Sequence, residues 1–384
     1  MKNDANPNAR ALSRRLRLNW RGAVFLALAT AVGFAAAAKG NNLLFVVFST
    51  LLGVFIAAAV FTILGPGRLE ITRVLPDSAH AYEPFSYSIR LRSRRKLLPA
   101  FALRIDDRLT HDGRPAAMQP GAVHIAVALP GEKLRGTTSA AAFQRGPATF
   151  GPITVTSEFP PGLVTYTVTF AIEDSILVYP RSGIIERRIL NPYLSRIQQH
   201  ELVAASTAAG EEEFAGLREF RDGDNPRRVH WKLLGRVPGQ VIVKEFEDAR
   251  ARRGVILLDT LLPDPSDRRR RSRLERAISF SAALAEALLG EGYTLRFRTH
   301  APEPVELALE PRRGAVQDLN LMLAGLRPSP TAGLHELVAR ADAAADEVFF
   351  VLAVGDDAAP EALPPGRSIV IHATEMRNLM YYAS

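Results

Sequence analysis

Two long uncharged runs near the start of the chain constrain its fold more than any other feature. Residues 23–38 read AVFLALATAVGFAAAA and residues 43–64 read LLFVVFSTLLGVFIAAAVFTIL, with no Asp, Glu, Lys or Arg in either. A helix rises about 1.5 Å per residue, so the second run reaches about 33 Å, enough to cross a hydrocarbon layer of about 30 Å. The first is shorter and needs Trp20, Arg21 and Lys39 to reach the interface from its ends. Only Lys39-Gly40-Asn41-Asn42 joins the two runs, which leaves room for nothing but a tight turn. Residues 1–67 therefore read as a basic N-terminus followed by a two-span membrane α-hairpin. Arg10, Arg14, Arg15, Arg17 and Arg21 precede the first run, Arg68 and Arg73 follow the second, and Lys39 alone lies between. Positive flanks mark the cytoplasmic side. Both termini are thus expected in the cytoplasm and the hairpin in the inner (cytoplasmic) membrane. The alternative, a cleaved signal peptide followed by one anchor, is disfavoured because no A-x-A site is placed convincingly against a polar mature start.

The remainder is too long for one hydrophobic core, and two or three folded units are expected from 384 residues. Hydrophobic residues at 47% and charged residues at 23% fit globular units better than a many-spanning transporter. Cysteine is absent, which excludes disulfides, thiolate metal sites and any thiol nucleophile. The net charge of +8 invites a nucleic-acid reading, but much of it flanks the apolar runs or falls in one arginine run, 268–273. That run lacks interleaved aromatics and is read as a solvated loop before a helix, so nucleic acid is not the expected partner.

Residues 68–180 alternate apolar and polar positions in short segments broken by Pro and Gly: RLEITRVLP, EPFSYSIRLRS, FALRIDD, VHIAVALP, GTTSAAAFQ, ATFGPITVTSEF and DSILVYP. This is the pattern of a β-sandwich. Residues 181–253 form a connector with a charged segment. From residue 254 to 384 the period changes: GVILLDT, TLRFRTH, EVFFVLAVGDD and RSIVIHA read as buried strands, separated by helical RLERAISFSAALAEAL, AVQDLNLMLAGL and HELVARADAAA. Alternation of this kind predicts an α/β domain with an open, mostly parallel sheet. Its ligand site, if it has one, belongs beyond the carboxyl ends of the strands, near Asp259, His300 and Asp356.

The densest mixture of charge and aromatic is EEEFAGLREFRDGDNPRRVHWKLLGRVPGQVIVKEFE, residues 211–247. Asp222-Gly223-Asp224-Asn225-Pro226 is a turn by composition. Arg218, Arg227, Arg228, His230, Trp231 and Lys232 surround it, with Glu213, Phe214 and Leu217 on the approach. Guanidinium forks and an indole face suit an acidic protein segment or phosphate. Acids and bases are nearly balanced, however, which favours an internal ion network between domains over an external docking surface.

EFAGLREFRDGDNPRRVHWK followed by VIVKEFE, together with GNNLLF at the hairpin turn and RGPATFGPITV leading to PPGLV, resembles the bacterial membrane-anchored family known as domain of unknown function 58. The resemblance spans most of the chain. It implies a β-sandwich plus a von Willebrand factor type A-like domain, and a role beside a MoxR-type AAA+ ATPase. PPGLV departs from the aspartate-proline-phenylalanine-glycine run of relatives, a change expected to affect a loop contact only.

A metal-binding type A domain needs Asp-x-Ser-x-Ser after its first strand, because a hard divalent cation demands several oxygen ligands. Here the run is Asp259-Thr260-Leu261-Leu262-Pro263, with no side-chain oxygen at either serine position. Asp259 is a degenerate remnant at most, better suited to accepting backbone amides, and no metal or other cofactor is expected. No Walker loop, dinucleotide fingerprint or nucleophile elbow occurs, and the eight histidines lack ligand spacing. The reading is a non-enzymatic, membrane-tethered scaffold or adaptor for protein partners. The rival is a hydrolase using Asp222, Asp224 and His230 as acid and base groups.

Overall fold

The computed structural model describes residues 11–66, 69–95, 98–111, 113–115, 118–158, 162–186, 188, 191–192, 195, 253–339, 347–355, 363 and 367–382, and the backbone of 214–219 and 242–246. The chain divides into two compact units, Met1–Arg181 and Ser182–Ser384.

The first unit opens with β1 (Ala11–Leu18), α1 (Trp20–Lys39) and α2 (Asn42–Leu64). The two helices are long and apolar enough to cross a membrane, and most of their surface is exposed. The turn between them follows from its residues. Gly40 takes a left-handed φ of 58°, and the Asn41 side chain accepts from the Leu43 amide at 2.9 Å, capping α2. The helices then run back alongside each other. Phe25 stacks on Phe55 with ring centroids 6.4 Å apart, and Phe48 fills the space that a side chain at Gly33 would occupy.

The strands that follow are β2 (Leu69–Val74), β3 (Ala79–His80), β4 (Phe85–Ser93), β5 (Ala100–Asp106), β6 (Leu109–His111) and β7 (Arg114–Pro115). Then come β8 (Val123–Ala128), β9 (Lys133–Ala140), β10 (Gly146–Phe150), β11 (Ile153–Ser157), β12 (Val164–Phe170) and β13 (Asp174–Tyr179). They form three sheets, ordered β1-β12-β11-β5-β8, β3-β13-β10-β6-β7 and β2-β4-β9. Alternate residues such as Ile89, Leu91, Ile105, Val155, Val168 and Val178 point into one core shared by all three. Ala11–Leu18, basic enough to read as a mere flank, is instead the edge strand β1, antiparallel to β12 with Leu18 opposite Val164.

The β core encloses one ion cluster. Arg73, in β2, is fully buried and donates to both oxygens of Asp107 at 2.7 and 2.9 Å, to Asp174 at 2.6 Å and to the Gly151 carbonyl at 3.0 Å. Its guanidinium lies 4.7 Å from the Phe150 ring centroid. The Tyr87 hydroxyl donates to Asp107 at 2.8 Å. Burial first, and the Asp107 carboxylate second, push the Tyr87 phenol far above its ordinary range.

The second unit contains the antiparallel pair β14 (Phe214–Glu219) and β15 (Ile242–Phe246), followed by an α/β layer. Its elements are β16 (Arg253–Leu258), α3 (Arg268–Gly290), β17 (Thr294–His300), β18 (Pro304–Leu309), α4 (Ala315–Gly325), α5 (Leu334–Ala339), β19 (Glu347–Ala353), β20 (Ser368–His372) and α6 (Met376–Leu379). The sheet order is β18-β17-β16-β19-β20; all neighbours are parallel except β17 with β18. Strands covered on both faces are continuously apolar. Ile256, Leu258, Phe350 and Leu352 meet α3, α4 and α6 on one face, while Val255, Leu257, Phe349 and Val351 meet Val338 of α5 on the other.

Candidate functional site

The charged segment singled out in the sequence is bracketed by β14 and β15. Leu217 stands opposite Lys244 and Arg218 opposite Val243, with Phe214 opposite Phe246. The ends of the segment are therefore held together as paired strands. Glu213, Asp222, Gly223, Asp224, Pro226, Arg227, Arg228, His230, Trp231 and Lys232 lie outside the described residues, as does Asp356.

At the carboxyl end of β16 the described residues give a complete account of one acid. Asp259 is 4% exposed. One carboxylate oxygen accepts from the Leu261 amide at 3.0 Å and the other from the Val354 amide, just beyond β19, at 3.3 Å. The group thus ties together the ends of the two strands where crossovers diverge. Burial raises its pKa above the ordinary carboxylate range, and the Leu261, Val354 and Gly355 amides and the Arg270 charge offset only part of that. Neighbouring hydroxyls are engaged too. Thr260 donates to the His300 carbonyl, and Thr299 to the Leu258 carbonyl at 2.9 Å. Among the described residues, no three His, Asp or Glu side chains are grouped to hold a metal.

The arginine run does not form the solvated loop expected of it. Asp267 caps α3 by accepting from the Arg269 and Arg270 amides at 2.9 and 3.0 Å, so the arginines occupy the first turns of the helix. Two of them act as fasteners, Arg270 donating to Leu261 O at 2.8 Å and Arg271 to Pro265 O at 2.7 Å; further along α3, Arg276 donates to Ala373 O at 3.1 Å. Arg268, Arg269, Ser272, Arg273 and Arg276 line an open depression of about 330 Å³.

A second locus joins the helical hairpin to the β sheet, and sequence reasoning missed it. Asn19, between β1 and α1, donates from its side chain to Gly162 O and Thr165 Oγ1, both at 2.8 Å, and from its backbone to Leu163 O at 3.1 Å. Gly22 sits so close to this loop that a Cβ would lie 2.2 Å from the Leu163 carbonyl oxygen. Leu163 and Val164 are buried against Ala58, with Phe25 and Phe55 beside them. The described end of the PPGLV run, residues 162–164, therefore meets the helices. At the far end of α2, a Cβ on Gly65 would lie 2.8 Å from Ser157 Oγ, and Phe61 packs edge-on to Phe101 at 6.1 Å. The only sequence signal for this locus was the pair of glycines at the apolar run boundaries.

No family model matches the chain. It is 23% identical over 283 residues to the uncharacterized protein YeaD of Bacillus subtilis, a match covering 71% of this chain and 66% of that protein, slightly under two thirds of its length. Among solved structures, the sporulation control protein Spo0M of Bacillus subtilis aligns with a TM-score of 0.19 and 10% identity, over 40% of this chain and 58% of that one.

Proposed function

We propose that the chain is a membrane-tethered scaffold or adaptor whose two folded units face the cytoplasm and engage protein partners, a MoxR-type AAA+ ATPase among them. One observation carries the reading more than any other. Both ends of the apolar hairpin are fastened to the same end of one sheet, at Asn19 with residues 162–165 and at Gly65 with Ser157. Such fastening suits a rigid mount better than a loose leash. It also puts the arginine-rich β1 and the β region at the same end of the hairpin, in keeping with positive residues on the cytoplasmic side.

Three further observations support the finer parts of this reading. An open, mostly parallel sheet with one antiparallel edge strand fits a type A-like domain. The Asp259 carboxylate is spent on backbone amides, which fits a binding role for that domain without a metal. The pairing of β14 with β15 brings the two ends of the charged segment together, which fits a segment offered to partners as one unit. The hydrolase reading rests on Asp222, Asp224 and His230, which lie outside the described residues. Co-purification of the tagged full chain with a MoxR-type ATPase from detergent-solubilised membranes tests the proposal. Stoichiometric recovery is expected. Recovery of the chain free of any such ATPase, before and after crosslinking in intact cells, would contradict the partner assignment.

A further inference from the structure

The sheet end that holds the hairpin carries apolar side chains that its own fold leaves uncovered. Phe101, the second residue of β5, touches Phe61, which lies three residues before the end of α2. Three residues are about 4.5 Å of helix, so Phe101 stands within one turn of the level at which the apolar helix ends. Its register partner is Val127, and Ala100 pairs with Ala128. Paired residues share a face, so Val127 continues the surface that Phe61 touches. Val127 is 41% exposed, Leu129 just past the strand is 53% exposed, and Leu98 just before β5 is 41% exposed. Hydrogen bonds hold the loops bearing them in place. Arg95 donates to Leu98 O and Pro99 O, and Gly131 donates to Ser93 O at 3.0 Å. At the other corner of the same sheet end, Leu18 is 51% and Trp20 72% exposed, and the Arg21 guanidinium lies 5.9 Å from the Trp20 ring centroid.

We infer that this end of the sheet is a second membrane contact, an interfacial footing in which Leu98, Val127 and Leu129 enter the phospholipid headgroup layer beside α2 while Trp20 and Arg21 anchor the corner beside α1. The inference rests on the reading that α1 and α2 cross the bilayer. If they do, the depth of Phe61 fixes the depth of Phe101 and Val127, because the two rings are in contact. Exposed leucines at that depth meet lipid rather than water, and the Trp20 indole and Arg21 guanidinium match the amphipathic boundary and its phosphates. The footing would hold the β region at a set height and tilt.

The chain has no cysteine, so single cysteines can be labelled without background. Val127→Cys, Leu129→Cys, Arg114→Cys and, within α2, Ile56→Cys are each labelled with a polarity-sensitive fluorophore in the full chain. The labelled chains are reconstituted in phosphatidylcholine–phosphatidylglycerol nanodiscs and exposed to headgroup-depth lipid quenchers or to aqueous iodide. Expected is loss of Val127 and Leu129 fluorescence to the shallow lipid quencher with protection from iodide, while the Arg114 label shows the reverse. If the Val127 and Leu129 labels are quenched by iodide like Arg114 while Ile56 is quenched only by lipid, the footing is wrong and the spanning helices stand. Protection of Val127 and Leu129 from both quenchers would put protein on the patch and overturn the footing equally. An Ile56 label open to iodide would overturn the footing together with the spanning reading beneath it.

Discussion

Arg73 and Asp107 form the most consequential pair of single residues, since both side chains are essentially inaccessible. Removing one partner of such a pair strands the other charge, at a cost of about 3–5 kcal/mol. Asp107→Ala should therefore unfold the β region or shift its denaturation midpoint far down, whereas Tyr87→Phe, which removes one hydrogen bond to a carboxylate that keeps its arginine, should cost about 1.5–3 kcal/mol. Denaturant melts of the two variants in detergent check the ordering. Asp259 makes a different prediction. Its pKa is raised above the ordinary 3.8, so between 3.8 and the raised value the folded chain keeps a proton that the unfolded chain has released. Stability should fall as pH rises through that window and level off above it, and Asp259→Asn should abolish this component of the slope. Because both oxygens of Asp259 are occupied by amides, millimolar Mg²⁺ should leave the melting temperature unchanged. A ligand binding only the folded state would raise it. A cation-dependent rise lost in Asp259→Ala would show that other oxygens complete a site.

Elements depend on how closely neighbours approach. Gly22→Ala drives a Cβ to 2.2 Å from a backbone carbonyl, while Gly53, in the middle of α2, has open space around it. Gly22→Ala should loosen the mount and lower thermal stability in detergent, and Gly53→Ala should be neutral or gain up to about 1 kcal/mol of helix propensity. Equal behaviour of the two would contradict the close contact at Leu163. The helices and buried strands were legible because their signal is local: GVILLDT, EVFFVLAVGDD and the two apolar runs announce themselves by period and length. Strands β1, β12 and β18 were missed for definable reasons. In β1, arginines at 14, 15 and 17 mask the alternation, and its strand state comes from pairing with β12, some 150 residues away. VTYTVTF of β12 begins one residue past Pro160-Pro161-Gly162, whose breaker signal outweighs the alternation that follows. PVELAL of β18 lies in a stretch that the expected strand–helix rhythm assigned to a connection, and it pairs antiparallel. The helical state of the arginine run was likewise hidden, because five arginines at the positive end of a helix oppose its dipole. The Asp267 cap was the available signal.

At the scale of the molecule, the proposed adaptor role rests on the charged segment, for which two arrangements make opposite predictions. If Arg218 and Arg228 are buried mates of nearby carboxylates, Arg218→Glu and Arg228→Glu should each cost about 3–5 kcal/mol. If they instead form an exposed docking surface, stability should change by about 0–1 kcal/mol while ATPase recovery is lost. Denaturant melts beside co-purification separate the two outcomes, and Arg227→Glu, next to the Pro226 turn, is the variant expected to lean most toward the docking behaviour. How much of this site the sequence made legible is uneven. The segment stood out by composition, but the fastening of the hairpin did not, since Asn19, Gly22 and Gly65 acquire meaning only once Ser157 and residues 162–165 are folded against them. The proposed adaptor role depends on which side of the membrane the folded units occupy. A paired reporter, one active only in the cytoplasm and one only outside it, fused after Ser384 and separately inserted at Gly40, tests this directly. The cytoplasmic reporter should be active after Ser384 and silent at Gly40, with the opposite for its counterpart; an external signal after Ser384 would contradict the scaffold on the cytoplasmic face.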